Sequence, residues 1–440
     1  MTHHPPADRS AALDRRRFLG QGTALVAGLA AGPAFLRAAD AASKKLVVGV
    51  MGLGRGLAHI QACLSLPDIE VAYVCDVDDR RIRQALAAID KRAKDKSARM
   101  PQGVKDFRRI LDDKDVDVLT IAAPNHWHAP ATILACQAGK HVYVEKPGSH
   151  NPREGELMVA AARKYNRVVQ MGNQRRSWPA VIEAIEKLRA GAIGPVRSAR
   201  TWYNNHRGSI GRGKLVPVPP ELDYSLWQGP APERPYKDNL VHYNWHWHWH
   251  WGGGELANNG IHALDLARWG LGVDCPRRVT CGGGRYHFDD DQETPDTALA
   301  TFDFGDKVAF WDCSSCHPRA AENLAFVTFY GDHGSLALSG GGLYRIFDPK
   351  GKEIDRGSSP AGDVSHFANF FDCIRSGGSK RPNSDIEEGQ KSTLLCHLGN
   401  IAYRTGRTLT LDPKTRTIVG DKEAMALWSR EYRPGWEPKV

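Results

Sequence analysis

Residues 47–56 read VVGVMGLGRG, an apolar strand that runs directly into a glycine-rich turn. Glycines at positions 52 and 54 let the backbone turn tightly and approach a pyrophosphate, which lies on the N–H groups that open the next helix. By spacing alone a third glycine belongs at position 57, but Leu57 stands there and Gly56 comes one residue earlier. The stretch still predicts a dinucleotide-binding strand–turn–helix unit. Its expected cofactor contacts are Gly52, Leu53, Gly54, Arg55 and Gly56.

Apolar strands alternate with helices around this unit. Strands are predicted at 45–50, 69–75, 116–122 and 141–144, and helices from 56, over 80–93 and over 130–138. Continuous apolar strands alternating with helices indicate a parallel, doubly wound sheet. Residues 43–168 are therefore predicted to form an NAD-binding Rossmann domain.

Asp76 ends the second predicted strand, about twenty residues after the glycines. A carboxylate there accepts the hydroxyls of the adenosine ribose and repels a 2′-phosphate, so NAD is favoured over NADP. Arg80 and Arg81 follow closely and weaken that preference.

The pattern changes after residue 168. Residues 169–385 are predicted to form an α+β substrate-binding domain with a large, mostly antiparallel sheet, because alternating segments recur at 196–203, 297–304, 308–312, 325–330 and 334–338. A Pro/Gly-rich stretch at 204–243 is too long for an ordinary connection and indicates a lid or an interface arm. Helices are predicted over 179–190, 365–376 and 386–404, and residues 386–440 form a C-terminal helix and tail that pack back on the core.

The N-terminus reads as a targeting segment. Residues 14–20 (DRRRFLG) carry a twin-arginine pattern, a weakly apolar Gly/Ala-rich stretch follows, and residues 39–41 offer a small-residue cleavage site. A membrane anchor is disfavoured because the stretch contains several glycines and few large aliphatic residues. Residues 1–42 are therefore predicted to direct export by the twin-arginine route, to the periplasm or outside the cell, with no membrane span after removal.

Composition excludes several classes of protein. The chain has 440 residues, 41% hydrophobic and 25% charged, as in soluble globular proteins. Its net charge of +9 is scattered, without a basic run interleaved with aromatics, so nucleic acid is not an expected partner. The cysteine count, nine, is odd, and most cysteines have apolar neighbours, which indicates small buried side chains.

Residues 252–269 read GGGELANNGIHALDLARW and place one histidine, His262, at the mouth of a helix, near the amide of Asn258. An imidazole that faces a bound nicotinamide can take a proton from a substrate hydroxyl, as hydride transfer requires. The stretch is therefore predicted to contain the catalytic residue that the second half of the chain contributes.

Four motifs in this order resemble those of the Gfo/Idh/MocA oxidoreductases: GLGRG at 52–56, APNHWH at 123–128, EKP at 145–147 and NNGIHALD at 258–265. The resemblance implies that Lys146 lies between nicotinamide and substrate, that Pro147 sets its turn and that His262 handles the proton. It also implies cofactor contacts from Pro124, Asn125, His128 and Glu145.

The chain departs from that family where an Asp would precede the histidine by four residues, because Asn258 stands there. Asn258 is expected to orient His262 by a hydrogen bond from the same helix face, without adding charge. His262 is therefore expected to be less basic than in typical members, leaving Lys146 as the main positive charge beside a developing alkoxide. Asp265 is expected to contact substrate one turn later.

Residues 242–251 read HYNWHWHWHW. Strict alternation predicts a strand with His246, His248 and His250 on one face. A metal site is disfavoured because no acidic or Cys ligand is adjacent, and aromatic faces that stack on sugar rings fit better. The predicted substrate contacts are Asn173, Arg175, Arg176, Tyr203, His246, Asn258 and Asp265, with Gln174, Trp202 and Trp227 as further candidates.

Residues 313–317 read CSSCH, which spells a c-type haem attachment motif. The twin-arginine route carries folded chains, whereas covalent haem attachment suits an unfolded one, and no helical haem module surrounds the motif. A pair of thiols at a strand end is therefore the favoured interpretation, with their oxidation left open.

Together these features predict an NAD-dependent oxidoreductase that acts on a secondary hydroxyl of a sugar or glycoside. An NAD-dependent glycosidase, which oxidises a sugar transiently and eliminates the aglycone, is the enzymatic alternative. A sugar-binding or assembly protein without catalysis is the alternative of another class. A homo-oligomer that assembles through the open face of the second sheet is expected.

Overall fold

The computed structural model describes residues 45–92 and 100–440. The expected twin-arginine segment, residues 1–42, lies outside the described residues. None of the helices in the described part of the chain is long and apolar enough to cross a membrane.

The first half forms a six-stranded sheet in the order β3-β2-β1-β4-β5-β6, with every neighbouring pair parallel. Its strands are β1 (Leu46–Met51), β2 (Ile69–Cys75), β3 (Gln102–Val104), β4 (Val118–Ile121), β5 (His141–Val144) and β6 (Val169–Met171). The strand order reverses between β1 and β4, and the carboxyl ends at such a point form a ligand crevice. The predicted doubly wound parallel sheet is confirmed, and its last strand lies just beyond residue 168.

Helices cover both faces of this sheet. They are α1 (Gly56–Leu64), α2 (Asp79–Arg92), α3 (Arg108–Asp112), α4 (Asn125–Gln137) and α5 (Pro152–Lys164). β1 and β4 are almost wholly buried, with Val48, Val50 and Ile121 fully inaccessible. Burial on both faces explains why these strands are continuously apolar in sequence.

The second half contains a ten-stranded sheet in the order β14-β13-β12-β11-β7-β10-β9-β8-β15-β16. Its strands are β7 (Val196–Asn204), β8 (Arg278–Gly284), β9 (Thr297–Asp303), β10 (Val308–Ser314), β11 (Val327–Gly331), β12 (Gly334–Leu338), β13 (Leu343–Phe347), β14 (Glu353–Ser358), β15 (Leu409–Asp412) and β16 (Thr417–Ile418). Neighbours are antiparallel except β7 and β10, which are parallel, so the predicted mostly antiparallel sheet is confirmed.

One face of this sheet packs against helices and the other is open. The helices of the second half are α6 (Pro179–Arg189), α7 (Tyr224–Gln228), α8 (Ile261–Leu271), α9 (Val364–Arg375), α10 (Ile386–Thr405) and α11 (Lys422–Ala426). Side chains alternate accordingly: Ala300 and Phe302 of β9 are fully buried, whereas Leu299 is 58% exposed.

Residues 205–243 form an arm that reaches the nucleotide-binding half. The amide of Asp223 donates to the carbonyl of Val77 at 2.9 Å, and the amide of Asp79 donates to the carbonyl of Glu221 at 3.2 Å. His242 Nε2 lies 2.8 Å from Asp78 Oδ2. These bonds fix the arm just beyond the end of β2, so the arm does more than connect two elements of the second half.

The strand predicted for residues 242–251 is wrong. Residues Asn244–Trp247 form a 3₁₀ turn and the following residues continue in turns. The backbone there makes local turn hydrogen bonds: the amide of His248 donates to the carbonyl of Trp245 at 3.2 Å, and the amide of Trp251 donates to the carbonyl of His248 at 3.1 Å. The adjacent residues Trp247 and His248 are both buried, which the alternating faces of a half-buried strand would not give. The three histidines therefore do not share one face.

Cys313 lies within β10 and Cys316 follows its end, and both are buried free thiols. Burial raises the pKa of both thiols. Among residues 45–92 and 100–440, no group of three or more His, Cys, Asp or Glu side chains is arranged to hold a metal ion.

Candidate active site

A cavity of about 540 Å³ lies between the carboxyl edge of the first sheet and the start of α8. Both halves of the chain contribute to its walls. The predicted residues that line it are Gly52, Leu53, Gly54, Arg55, Asp76, Pro124, Asn125, His128, Glu145, Lys146, Gln174, Trp227, His246, Asn258 and His262. Gly56 and Trp202, which were also predicted, do not line it.

The glycine turn forms one end of this cavity. Gly52 has a φ of +85°, and a Cβ there would lie 2.5 Å from the carbonyl oxygen of Ala122, so only glycine fits. The amides of Gly54 and Arg55 have no acceptor among the described residues, and α1 begins directly after them. Free amides at a helix N-terminus are suited to bind a phosphate group.

Asp76 is held in place by this turn. Its Oδ2 accepts from the amide of Leu53 at 2.8 Å and its Oδ1 from the amide of Asp78 at 3.1 Å. Burial raises the pKa of Asp76 above its ordinary value, and those amides together with Arg81 oppose the rise. The carboxylate is thus fixed on the cavity wall, where ribose hydroxyls would compensate its burial.

The two arginines near Asp76 differ in their surroundings. Arg80 binds Asp78, with Nη2 2.7 Å from Oδ2, and does not line the cavity. Arg81 does line it, close to Gly54. Arg81 is therefore the one positive charge of this pair that a ribose 2′-phosphate would meet.

Glu145 connects the glycine turn to the centre of the site. Its Oε1 lies 3.0 Å from Arg55 Nε, 3.1 Å from His59 Nε2 and 3.1 Å from Gln174 Nε2. Burial disfavours its charged form, but the bond from His59 and the charge of Arg55 outweigh burial and hold the pKa well below its ordinary value. Glu145 is therefore an anchor rather than an acid–base group.

Lys146 follows β5 and reaches across to the second half. Its Nζ donates to the carbonyl oxygen of Asn258 at 2.9 Å and to Asn258 Oδ1 at 3.2 Å. The Lys146–Pro147 peptide is cis, and the Pro147 carbonyl lies 2.5 Å from His128 Nδ1. Burial lowers the pKa of Lys146, while the neighbouring Glu145 opposes that change.

His262 stands at the start of α8, after a π-helical turn at Leu256–Gly260. Such turns often mark functional sites. The expected hydrogen bond from Asn258 to the imidazole is not formed, and Asn258 Oδ1 accepts from Lys146 instead. The buried Nδ1 of His262 has no partner in the described structure. Burial, then the charges of Arg175 and Lys146, hold the pKa of His262 well below its ordinary value, so the ring is neutral and can accept a proton.

Two predicted substrate contacts bind each other instead. Arg176 Nε and Nη2 both lie 2.8 Å from carboxylate oxygens of Asp265, and Ser392 Oγ donates to Asp265 Oδ1 at 2.6 Å. Both charged residues are buried and neither lines the cavity. We therefore correct their expected role from substrate binding to an internal ion pair that joins α8 to the turn after β6.

Three further candidates lie outside the cavity walls. Arg175 Nε donates to the carbonyl of Gly340 at 3.1 Å, and Tyr203 stacks on Trp311 with ring centroids 6.3 Å apart. Asn173 is buried, and neither its Oδ1 nor its Nδ2 has a partner in the described part of the chain. Asn173 therefore keeps unused hydrogen-bonding capacity, whereas the other two have protein contacts.

His246 lines the cavity as an aromatic surface. Its ring stacks on Trp245 with centroids 3.6 Å apart, and its Nδ1 lies 2.6 Å from the carbonyl oxygen of Tyr243. Burial lowers its pKa to about 3, so it stays neutral at ordinary pH. It is suited to pack against a sugar ring rather than to carry charge.

Several cavity residues were not predicted. Trp127 of α4, Arg81 of α2, and His242 and Tyr243 at the end of the arm all line the wall. The APNHWH motif and the aromatic run at 242–251 gave a signal for some of them. Nothing in the sequence indicated that the arm would return to the nucleotide-binding half.

The residues present fit a dinucleotide. The glycine turn offers free amides, Asp76 offers a fixed carboxylate about twenty residues on, and the crevice lies where the strand order reverses. Lys146 and His262 line the same cavity beyond that end. This arrangement can position a substrate hydroxyl beside a bound cofactor and accept its proton.

Comparison with known proteins covers both halves. A model of the Gfo/Idh/MocA family described as the oxidoreductase family's NAD-binding Rossmann fold matches residues 44–173. A second, described as the same family's C-terminal alpha/beta domain, matches residues 196–438.

Levoglucosan dehydrogenase from Pseudarthrobacter phenanthrenivorans is 33% identical over 164 residues, 36% of this chain and 41% of that protein. A glycosyl hydrolase family 109 protein from Saccharopolyspora erythraea is 30% identical over 156 residues, 35% of this chain and 34% of that protein. The matched stretches thus span about two fifths and one third of these relatives.

A solved structure of levoglucosan dehydrogenase in complex with NADH and levoglucosan has a TM-score of 0.64 at 20% identity, covering 83% of this chain and 99% of that one. At this identity the likeness shows the fold. Because both family models match in chain order and together cover most of the sequence, this chain belongs to the Gfo/Idh/MocA family of NAD-binding oxidoreductases.

Proposed function

We propose that this oxidoreductase transfers a hydride between a secondary hydroxyl of a sugar or glycoside and the nicotinamide of NAD. One observation carries the proposal: Lys146 of the first half and His262 of the second line one cavity together with the glycine turn. The likeness to a levoglucosan dehydrogenase supports a carbohydrate as substrate.

The residues of the chain divide the work. Neutral His262 accepts the hydroxyl proton: burial lowers the pKa of the ring and so keeps it unprotonated before the reaction, and its Nδ1 has no partner in the described structure. Lys146 Nζ holds the substrate oxygen and stabilises the negative charge that develops there. The glycine turn and Asp76 would hold NAD, whose nicotinamide would supply the acceptor for the hydride of the carbinol carbon. Asn258 aligns the lysine, and Glu145 anchors the strand end that carries it.

A test follows directly from this division. Purified protein with NAD is incubated with a panel of sugars and glycosides while NADH fluorescence is recorded. A rise in NADH that requires both Lys146 and His262 supports the proposal. Absence of NADH and of any reaction product across the panel would leave only a sugar-binding or assembly function.

A transient-redox glycosidase is the second candidate. It is favoured by the family 109 hydrolase relative and by the arm that covers the cavity near Asp76, because a retained cofactor must regain its starting state in each cycle. The same assay separates the two: a dehydrogenase accumulates NADH with product, whereas the glycosidase releases aglycone with no net NADH.

We also propose that the chain is exported by the twin-arginine route, on the strength of Arg15 and Arg16 in the segment at 14–20. Replacing both by Lys is expected to retain the uncleaved protein in the cytoplasm. Periplasmic recovery of that double variant at the unaltered level would contradict the proposal.

Assembly through the open face of the ten-stranded sheet remains our proposal for the oligomer. Leu299, Tyr330 and Ile354 on that face are 58%, 44% and 55% exposed, and exposed apolar groups of this kind favour a partner surface. Light scattering on the unaltered protein and on Leu299→Lys tests it, and a monomer in both would contradict it.

A further inference from the structure

A second cavity, of about 510 Å³, lies between the face of α10, the loop at 230–234 and the C-terminal segment. Its walls share no residue with the cofactor cavity. Charged residues on its walls include Arg404, Arg430 of the C-terminal segment, Glu233 and Glu431, and Trp249 adds an aromatic face.

Two arginines on these walls form no close ion pair in the described part of the chain, and acidic groups act on them only at longer range, Glu293 on Arg404 and Glu154 on Arg430. The side chain of Arg404, in the last turn of α10, forms no hydrogen bond in the described part of the chain and lies over Trp249, 5.2 Å from its ring centroid. Half-buried Arg430 donates from Nη1 to the carbonyl of His250 at 2.9 Å and from Nε to its neighbour's carbonyl at 3.1 Å, while Nη2 has no acceptor there. No carboxylate oxygen of the described residues lies within 4 Å of either guanidinium.

The other charged groups on these walls do not supply the missing anion. Glu233 binds Arg433, with Oε1 2.7 Å from Nη2, and Glu431 forms no ion pair within the described chain. Arg234 adds a third guanidinium, 3.9 Å from Glu293.

The histidines of the second cavity add no charge. Burial lowers the pKa of His250 to about 4 and that of His397 to about 3, and it also holds the pKa of His150 well below its ordinary value. At neutral pH the positive charge of this cavity therefore comes from its arginines.

We propose that this second cavity binds a small oxyanion, a carboxylate or a phosphate, that pairs with Arg404 and Arg430. Arg430 is partly withdrawn from water, which is unfavourable for a guanidinium without a close partner. The planar fork of either arginine matches a carboxylate or a phosphate. Pro232, Ile401 and Leu427 provide apolar walls for the body of the ligand. The volume suits a molecule the size of a sugar acid or a sugar phosphate.

Isothermal titration of the full chain, with NAD in excess to fill the cofactor cavity, tests this site. The probes are glucuronate, inorganic phosphate and neutral glucose, at low ionic strength. Saturable binding of glucuronate without phosphate assigns a carboxylate, and binding of phosphate assigns a phosphate group. Binding of neither anion, or equal binding of glucose, overturns the proposal.

Variants of the two arginines test whether the anion binds in the second cavity. Arg404→Gln and Arg430→Gln are each expected to weaken it about tenfold, the loss of one charge-assisted pair. Arg404 is exposed, so its variant keeps the test valid if Arg430→Gln does not fold. Arg407→Gln is the matched control, because Arg407 pairs with Asp421 away from the cavity. Unchanged affinity in Arg404→Gln places the anion elsewhere and refutes the site. Because no turnover is measured, failure of the proposed oxidoreductase reaction would not alter these results.

Discussion

Lys146 Nζ donates to both oxygens of Asn258, at 2.9 Å to the carbonyl and 3.2 Å to Oδ1. This contact joins the end of β5 to the π-helical turn before α8 and so joins the two halves of the chain at the candidate site. Because the partner is an amide, it orients the ammonium without neutralising it. The full charge remains available to an oxyanion.

Asn258→Asp is expected to shift the acidic limb of the pH–rate profile upward. A carboxylate beside Lys146 and near His262 favours their protonated forms and raises their pKa values, so the neutral imidazole appears only at higher pH. The measurement is kcat/KM across pH, with Asn258→Leu as an uncharged comparison. An acidic limb that does not move in Asn258→Asp would contradict the assignment of His262 as the base.

His262→Ala is expected to lower turnover by roughly 10²- to 10⁴-fold, the usual contribution of a placed proton acceptor. NAD affinity should stay nearly unchanged, because the glycine turn and Asp76 lie at the other end of the cavity. Lys146→Ala should reduce turnover and also disturb the nicotinamide end. The exposed His333→Ala serves as the control, and full activity in His262→Ala would refute the site.

Asp76→Ala is expected to narrow the preference for NAD(H) over NADP(H). The fixed carboxylate repels a 2′-phosphate, and Arg81 on the same wall would then be free to bind it. Fluorescence titration of both reduced cofactors measures the ratio. Equal affinities in the unaltered protein would overturn the explanation.

Asp265→Asn is expected to destabilise the fold by about 3–5 kcal/mol, since it leaves the buried Arg176 without its counter-charge. Replacing both partners, as Arg176→Met with Asp265→Leu, should recover much of the loss. Urea unfolding measures both variants. A stable Asp265→Asn with a raised KM for substrate would instead restore the role expected from sequence.

The stability of the protein should fall as the pH rises through neutrality because of Glu154. Burial raises its pKa to about 7, although Arg430 opposes the rise. A carboxyl group whose pKa is higher in the folded than in the unfolded protein stabilises the folded state at pH values below its ordinary pKa of 4.5. This stabilisation is lost as the pH rises through the folded-state pKa of about 7. Between pH 5 and 8.5 the melting temperature of Glu154→Gln should therefore depend less on pH than that of the unaltered protein. The melting temperature of the exposed Glu186→Gln should depend on pH as in the unaltered protein. If the melting temperature falls equally with pH in the unaltered protein and in both variants, Glu154 is not the cause of the fall.

Local chemistry in the sequence predicted much of the first half. The glycine turn, Asp76 and the apolar strands are determined by nearby residues, and β2 and β5 begin and end where predicted. Helix α4 begins at Asn125 rather than at Pro130, so the proline lies inside the helix instead of opening it as predicted.

The second half depended more on contacts that are distant in sequence. The pairing of Arg176 with Asp265 and the return of the arm to Asp78 join residues about ninety or more positions apart, and no local pattern encodes them. The strand predicted for residues 242–251 failed for a related reason: alternation predicted a strand, but these residues form local turns in which the adjacent Trp247 and His248 are both buried. Residue types therefore indicated the chemistry, while tertiary packing decided which of them reach the cavity.

The parallel pairing of β7 with β10 bears on how the chain folds. Ala199 of β7 lies opposite Ala309 on one side and Phe329 of β11 on the other, so both of its neighbours follow more than a hundred residues later. During synthesis both edges of β7 therefore remain unpaired until the arm, α8 and strands β8 to β10 have emerged. Such non-local closure is slow and exposes the chain to aggregation. The central strand of the second sheet is thus the point at which newly made chains would need a chaperone most.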